Sequence, residues 1–216
     1  MTARSLFSLA LLFTLAALGA GTGILLIPTY APSLHASLFS EQPIGFWFLS
    51  RASGIIAYLL LAISTLLGLL LSSKTAKVAH FAPQAIALHD FSALLALIWV
   101  GFHALILLGD QHLNASLSQI LLPFTLPHQL QTWLGMGQIA AYLFTLILLT
   151  YQLKKHIGIT AWRWLHPMAF LAYMLATLHA LLAGSDTTTP LLMGLYALLN
   201  SSILLLSLYR LLSLKK

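Results

Sequence analysis

Six apolar runs, each long enough to cross a bilayer, constrain this chain more than any other feature. They lie near residues 5–27, 46–72, 84–108, 132–153, 160–183 and 190–211, with polar or proline-containing stretches between them. A helix needs about 20 mostly apolar residues to span the hydrocarbon. Because the bilayer interior has no water to satisfy exposed backbone groups, only helices and closed barrels can cross it. None of the six runs alternates with period 2, which argues against a barrel. The expected fold is therefore all-α: an integral membrane bundle of six transmembrane helices, forming a single domain over residues 1–216. Composition agrees, with 60% hydrophobic and 6% charged residues and a mean hydropathy of +0.94, far from the balance of a soluble domain.

Lys and Arg concentrate on the cytoplasmic side of membrane proteins, so the loop charges give an orientation. Arg4, Lys74, Lys77, Lys154, Lys155, Arg163, Arg210, Lys215 and Lys216 all fall on one side of the expected bundle. The remaining cation, Arg51, sits just inside the outer end of span two. Both termini are expected to be cytoplasmic, in a multi-pass protein of the plasma (bacterial inner) membrane. Span one resembles a secretory signal, with a basic start and "LGAGTG". Its apolar run is longer than a signal core, so it is expected to be retained. Within residues 109–131, "LSQILLPF" is short enough to read as a re-entrant or interfacial segment. Trp47, Trp133, Trp162 and Trp164 lie at span ends, where interfacial aromatics collect.

The same composition excludes much chemistry. With no cysteine, disulfides, thiolate clusters and cysteine catalysis are ruled out. Four carboxylates, Glu41, Asp90, Asp110 and Asp186, leave little room for paired-acid catalysis. The net charge of +6 is accounted for by the topology charges, so no nucleic-acid partner is expected; the partner on all sides is lipid. Histidine, present nine times, is the abundant reactive side chain.

Sorting the histidines by depth separates them. His35, His112 and His128 fall in outer loops, and His80 and His156 in inner connections, all open to water. His89 and His103 lie within span three, and His166 and His179 within span five. An ionisable side chain inside the bilayer is costly and marks function. Both spans run from inside to outside, and the steps of 14 and 13 residues place the second ring about 20 Å further out on each helix. Two helices thus offer matching histidines at two depths.

Two facing imidazoles do not make a catalytic zinc site, which takes three protein ligands. Asp90 points about 100° away from His89 around the helix. Haem iron needs only one or two axial ligands, because the macrocycle supplies the rest, and two haems at two depths offer electrons a path across the bilayer. On a straight helix, 14 residues return to within about 40° of the starting face, whereas 13 end about 140° away. Pro167, directly after His166, permits a kink at that site.

The segments "RASGIIAYLLLAISTLLGLLLS", "LHDFSALLALIWVGFHALILL" and "WRWLHPMAFLAYMLATLHALLAGSD" resemble the ferric-reductase-like transmembrane domain family. That family includes the membrane cores of NADPH oxidases and ferric reductases and the haem subunit of a bacterial methionine sulfoxide reductase system. The resemblance covers about residues 44–186. It implies two non-covalent, bis-histidine haems b, the inner on His89 and His166 and the outer on His103 and His179. Arg51 matches an arginine that the family often carries near the outer haem, where it would pair a propionate or an anionic acceptor. Arg163 and Lys77 could meet inner-haem propionates but read more simply as topology charges.

Members of the family with oxidase activity carry a flavin- and nicotinamide-binding unit after the sixth span, whereas this sequence reaches "SLYRLLSLKK" there. No Gly-rich phosphate loop is present, so no FAD or NAD(P) is expected on this chain. The leading expectation is a haem b electron-transfer protein and oxidoreductase component. It would carry electrons from a separate flavoprotein or a quinol to an extracytoplasmic acceptor such as ferric iron, oxygen or a partner reductase. One alternative is a haem subunit dedicated to a periplasmic methionine sulfoxide reductase-type enzyme. Another, of a different class, is a non-haem transporter with a histidine proton relay.

Overall fold

A computed structural model describes residues 14, 18, 22, 25–39, 43–73, 75, 80–126 and 129–213. Among them there are helices and turns but no strand. The expected span 5–27 falls almost wholly outside these residues, as do Arg4, Lys74, Lys77, His128, Lys215 and Lys216. The chain groups into two compact units, residues 1–46 and 47–216. The first contains helical residues 25–30 and α1 (Pro32–Phe39).

The second unit contains nearly all of α2 (Gly45–Ser72). It continues with α3 (Ala82–Ile106), extended by a 3₁₀ turn over Leu107–Gly109, and the short α4 (Leu117–Leu121). Then come α5 (Gln131–Gln152), α6 (Lys154–Ile157) and α7 (Ile159–Leu165). A 3₁₀ turn at His166–Met168 joins α7 to α8 (Ala169–Ala183), and α9 (Pro190–Ser213) follows. Among the described residues, five helical stretches are long and apolar enough to cross a membrane: Gly45–Ser72, Ala82–Gly109, Gln131–Gln152, Ile159–Ala183 and Pro190–Ser213.

Local chemistry explains the boundaries. Prolines open α3 and α9, where the missing N–H costs nothing because the first-turn donors have no helical partner. Gly158 separates α6 from α7 with φ at +86°, a backbone conformation that residues with a Cβ avoid. The loop segment around "LSQILLPF" forms α4, closed by a capping box between Ser116 and Gln119. Gln138 on α5 donates to the carbonyls of Gln119 and Ile120 at 2.7 and 2.8 Å, which ties α4 down.

One core unites α2, α3, α5, α8 and α9, built on Tyr58, Ala62, Leu69, Ala93, Ala96, Phe144, Ala172, Tyr173 and Tyr196 among others. Small residues dominate its tightest points, including Ser53, Ala62, Ser92, Ala96 and Ala172. Large apolar side chains such as Leu191, Leu205 and Leu212 face outward. Lipid is as apolar as leucine and supplies no force to hide it, so helices in a bilayer associate through close packing of small residues and through hydrogen bonds. The hydrogen bonds are here too. The Tyr58 and Tyr173 hydroxyls lie 2.9 Å apart, Tyr173 donates to Asn200 Oδ1 at 3.2 Å, and Asn200 Nδ2 donates to the Tyr58 hydroxyl at 2.9 Å. This network joins α2, α8 and α9 at mid-span.

Candidate functional site

The four histidines within the apolar helices meet in two pairs. His89 on α3 faces His166 in the 3₁₀ turn with ring centroids 6.2 Å apart and planes at 78°. His103, further along α3, faces His179 on α8 at 6.1 Å and 71°. The fourteen-residue step on α3 separates the two pairs by about 21 Å along the helix.

The break in the Ile159–Ala183 stretch lets both meetings occur. Pro167 has no N–H to continue the α-helix, and residues 166–168 wind as 3₁₀ instead, with the Ala169 N–H donating to the carbonyls of His166 and Pro167. A 3₁₀ turn advances about 120° per residue rather than about 100°. Three such residues cut the angular mismatch between His166 and His179 from about 140° to about 80°, and both rings then reach α3.

Three of the four rings are fixed through Nδ1. His89 Nδ1 lies 2.8 Å from the carbonyl oxygen of Ser64, His103 Nδ1 2.8 Å from that of Ser50, and His179 Nδ1 3.0 Å from that of Trp133. A carbonyl can only accept, so each of these nitrogens donates and carries the ring's proton. In the neutral ring each Nε2 is then left with a free lone pair, the form in which imidazole binds a metal. His166 differs: its Nδ1 is buried with no hydrogen-bond partner. The Trp162 ring lies 4.9 Å away, and its own Nε1 is also buried and unpartnered.

The spacing suits a single metal ion between each pair of rings. Two metal–imidazole bonds of about 2 Å, with about 1 Å from each donor nitrogen to its ring centre, put the centroids about 6 Å apart. Among the described residues, no three His, Asp or Glu side chains converge as a metal-ligand cluster. Asp90 is engaged elsewhere, accepting from the Tyr151 hydroxyl at 3.1 Å.

Arg51 lies one residue beyond Ser50, whose carbonyl receives His103. Its guanidinium forms an ion pair with Asp186 and lies over the Trp47 ring, 3.9 Å from the centroid. Sequence reading singled out Arg51 but not its carboxylate partner, 135 residues away. Arg163 is exposed. His80, His112 and His156 are exposed as well. Among the tryptophans, Trp164 is 81% exposed, as an interfacial ring would be, whereas Trp47 and Trp162 pack against Arg51 and His166. No protein-family model matches the chain, and no curated protein matches it.

Proposed function

We propose that this protein is a membrane electron conduit that binds two haems b, the inner between His89 and His166 and the outer between His103 and His179. One observation carries the reading: two pairs of facing imidazoles about 21 Å apart along α3, each pair with room for one metal and three of the four rings held in the Nδ1–H form. When bound, haem supplies one-electron chemistry, and two haems at two depths connect the faces of the bilayer. The chain's own residues do the rest. His89, His103 and His179 present unprotonated Nε2 atoms and hold their protons at Nδ1, out of the way. Coordination offsets the cost of burying these rings in hydrocarbon, and the apolar helices around them keep water away.

The bundle has six spans with both termini in the cytoplasm of a bacterial cell, on the strength of the loop charges. Electrons enter from a cytoplasmic flavoprotein or a membrane quinol and leave to an extracytoplasmic acceptor, namely ferric iron, oxygen or a partner reductase. Support for that assignment comes from the resemblance of residues 44–186 to ferric-reductase-like membrane domains. Arg51, close to the outer pair, is the cation available to a propionate or an anionic acceptor, in exchange with Asp186.

The test is a dithionite-reduced minus oxidised spectrum of protein purified in detergent from haem-replete cells, together with pyridine-haemochrome quantification. Soret and α-band changes with two haems per chain are expected. Protein lacking both bands would overturn the reading and favour a histidine proton relay.

A further inference from the structure

The glycines of α2 and α5 explain how three of the four rings are held. Each carbonyl that accepts from a histidine lies four residues before a glycine: Ser50 before Gly54, Ser64 before Gly68, and Trp133 before Gly137. On a helix, Cβ bonds lean toward the N-terminus, so the side chain at position i+4 covers the turn that displays the carbonyl of residue i. A glycine there uncovers that carbonyl, and its second lone pair becomes available to a ring from a neighbouring helix.

The ring sits where the missing side chain would have been. A Cβ on Gly137 would lie 2.6 Å from His179 Nδ1, and one on Gly54 would lie 3.0 Å from His103 Nδ1 and Cε1. A Cβ on Gly68 would lie 3.3 Å from His89 Cε1. Gly101 and Gly194, also within apolar helices, have nothing within 4 Å of such a position. Among the described glycines, close approach to the imidazoles is therefore specific to the three that follow an accepting carbonyl.

On α2 the unit occurs twice, as "SRASG" at 50–54 and "STLLG" at 64–68. The two copies are 14 residues apart, the same step as from His89 to His103 on α3. On α5 it occurs once, as "WLGMG" at 133–137. One histidine step further along α5 stand Thr150 and Tyr151 instead of glycine, and the Thr150 hydroxyl donates to the Ile147 carbonyl at 2.8 Å. His166, the histidine without such a seat, is the one whose Nδ1 has no partner.

We infer that Gly54, Gly68 and Gly137 are positioning residues: each opens a main-chain carbonyl that locks one imidazole in the Nδ1–H tautomer, with Nε2 available for a metal. The inference deepens the haem reading and rests on it for the identity of the metal, but the seats themselves are a property of the protein alone. Alanine at each glycine tests it, with Gly101→Ala and Gly194→Ala as controls for the substitution itself. Gly137→Ala and Gly54→Ala should weaken the outer haem roughly 10- to 100-fold, the usual loss when a ligand's supporting hydrogen bond is removed. Gly68→Ala, with the mildest clash, should keep both haems and shift only the inner low-spin electron paramagnetic resonance signal. Nitrogen-15 spectra of the histidines read the seats whether or not haem is present. Loss of one Nδ1–H signal in each seat variant, with both controls unchanged, supports the inference. Seat variants with wild-type tautomers and spectra, or controls as disturbed as the seat variants, would overturn it. If wild-type protein lacked haem but kept three Nδ1–H rings, the haem reading would fail and the seats would stand.

Discussion

His103 and His179 each give one ring nitrogen to a backbone carbonyl and keep the other free, so the outer pair depends on both rings and on nothing from the inner pair. If the pair holds a haem as proposed, replacing either with leucine, close in size and without a donor atom, is expected to remove the outer haem alone. Pyridine-haemochrome content should fall to about half while a bis-histidine low-spin signal persists, because one axial imidazole does not reproduce a two-ligand site. Unchanged stoichiometry would count against these ligands. The histidines were legible in the sequence because an imidazole is conspicuous in an apolar run. Their anchors were not, since the acceptors are main-chain carbonyls, which no residue name reveals. The glycines that expose them carry no side chain to draw attention in a sequence. Arg51 was legible by position, but its pairing with Asp186 joins residues distant in sequence.

At the scale of the element, the spans are where sequence and structure agree most closely. The runs at 46–72, 84–108, 132–153, 160–183 and 190–211 match the helical stretches Gly45–Ser72, Ala82–Gly109, Gln131–Gln152, Ile159–Ala183 and Pro190–Ser213. Hydrocarbon thickness dictates element length, and polar residues at the ends mark where it stops. Less legible was the small structure between the spans, because α1 and α4 are too short to carry a periodic signal. The break at Pro167 was foreseen as a site of kinking, but its form, three residues of 3₁₀ helix, depends on how the chain settles against α3 and α5. Pro167→Ala restores the N–H that lets a regular α-helix continue. Unwinding the 3₁₀ turn would rotate His166 against His179 by about 60°. The expected result is a shifted inner low-spin signal with the outer one unchanged, because His179 remains seated on the Trp133 carbonyl. A variant whose inner signal matched wild type would show that Pro167 does not set the aim.

For the whole molecule, the sidedness of the charges and the depth of the two pairs would give the proposed conduit a direction. The absence of cysteine makes orientation directly testable, since a single introduced thiol has no background. His112 and His156 are exposed and lie in connections expected on opposite faces. In intact cells or right-side-out vesicles, a membrane-impermeant maleimide is expected to label His112→Cys and to label His156→Cys only after permeabilisation. The reverse pattern would invert the bundle and with it the assignment of inner and outer haem. Sequence reading reached this level through charge counting alone. The shared core, with small residues inside and leucines outside, needed coordinates, because lipid-facing and core-facing residues are equally apolar and leave only a weak periodic trace.

The two matched copies on α2 make that helix and α3 a vernier. Each mark on one is read against a mark on the other, and the interval between the two pairs is set without any loop taking part. A single residue inserted between the marks of one helix would turn everything beyond it by about 100° and lose the reading. Seven residues inserted alike in α2, α3, α5 and the stretch between His166 and His179 would return each face to within about 20° and lengthen the scale by about 10 Å. Under the proposed electron-conduit reading, exchange over that extra distance would slow steeply while each site kept its own ligands, so distance and coordination would be separately adjustable.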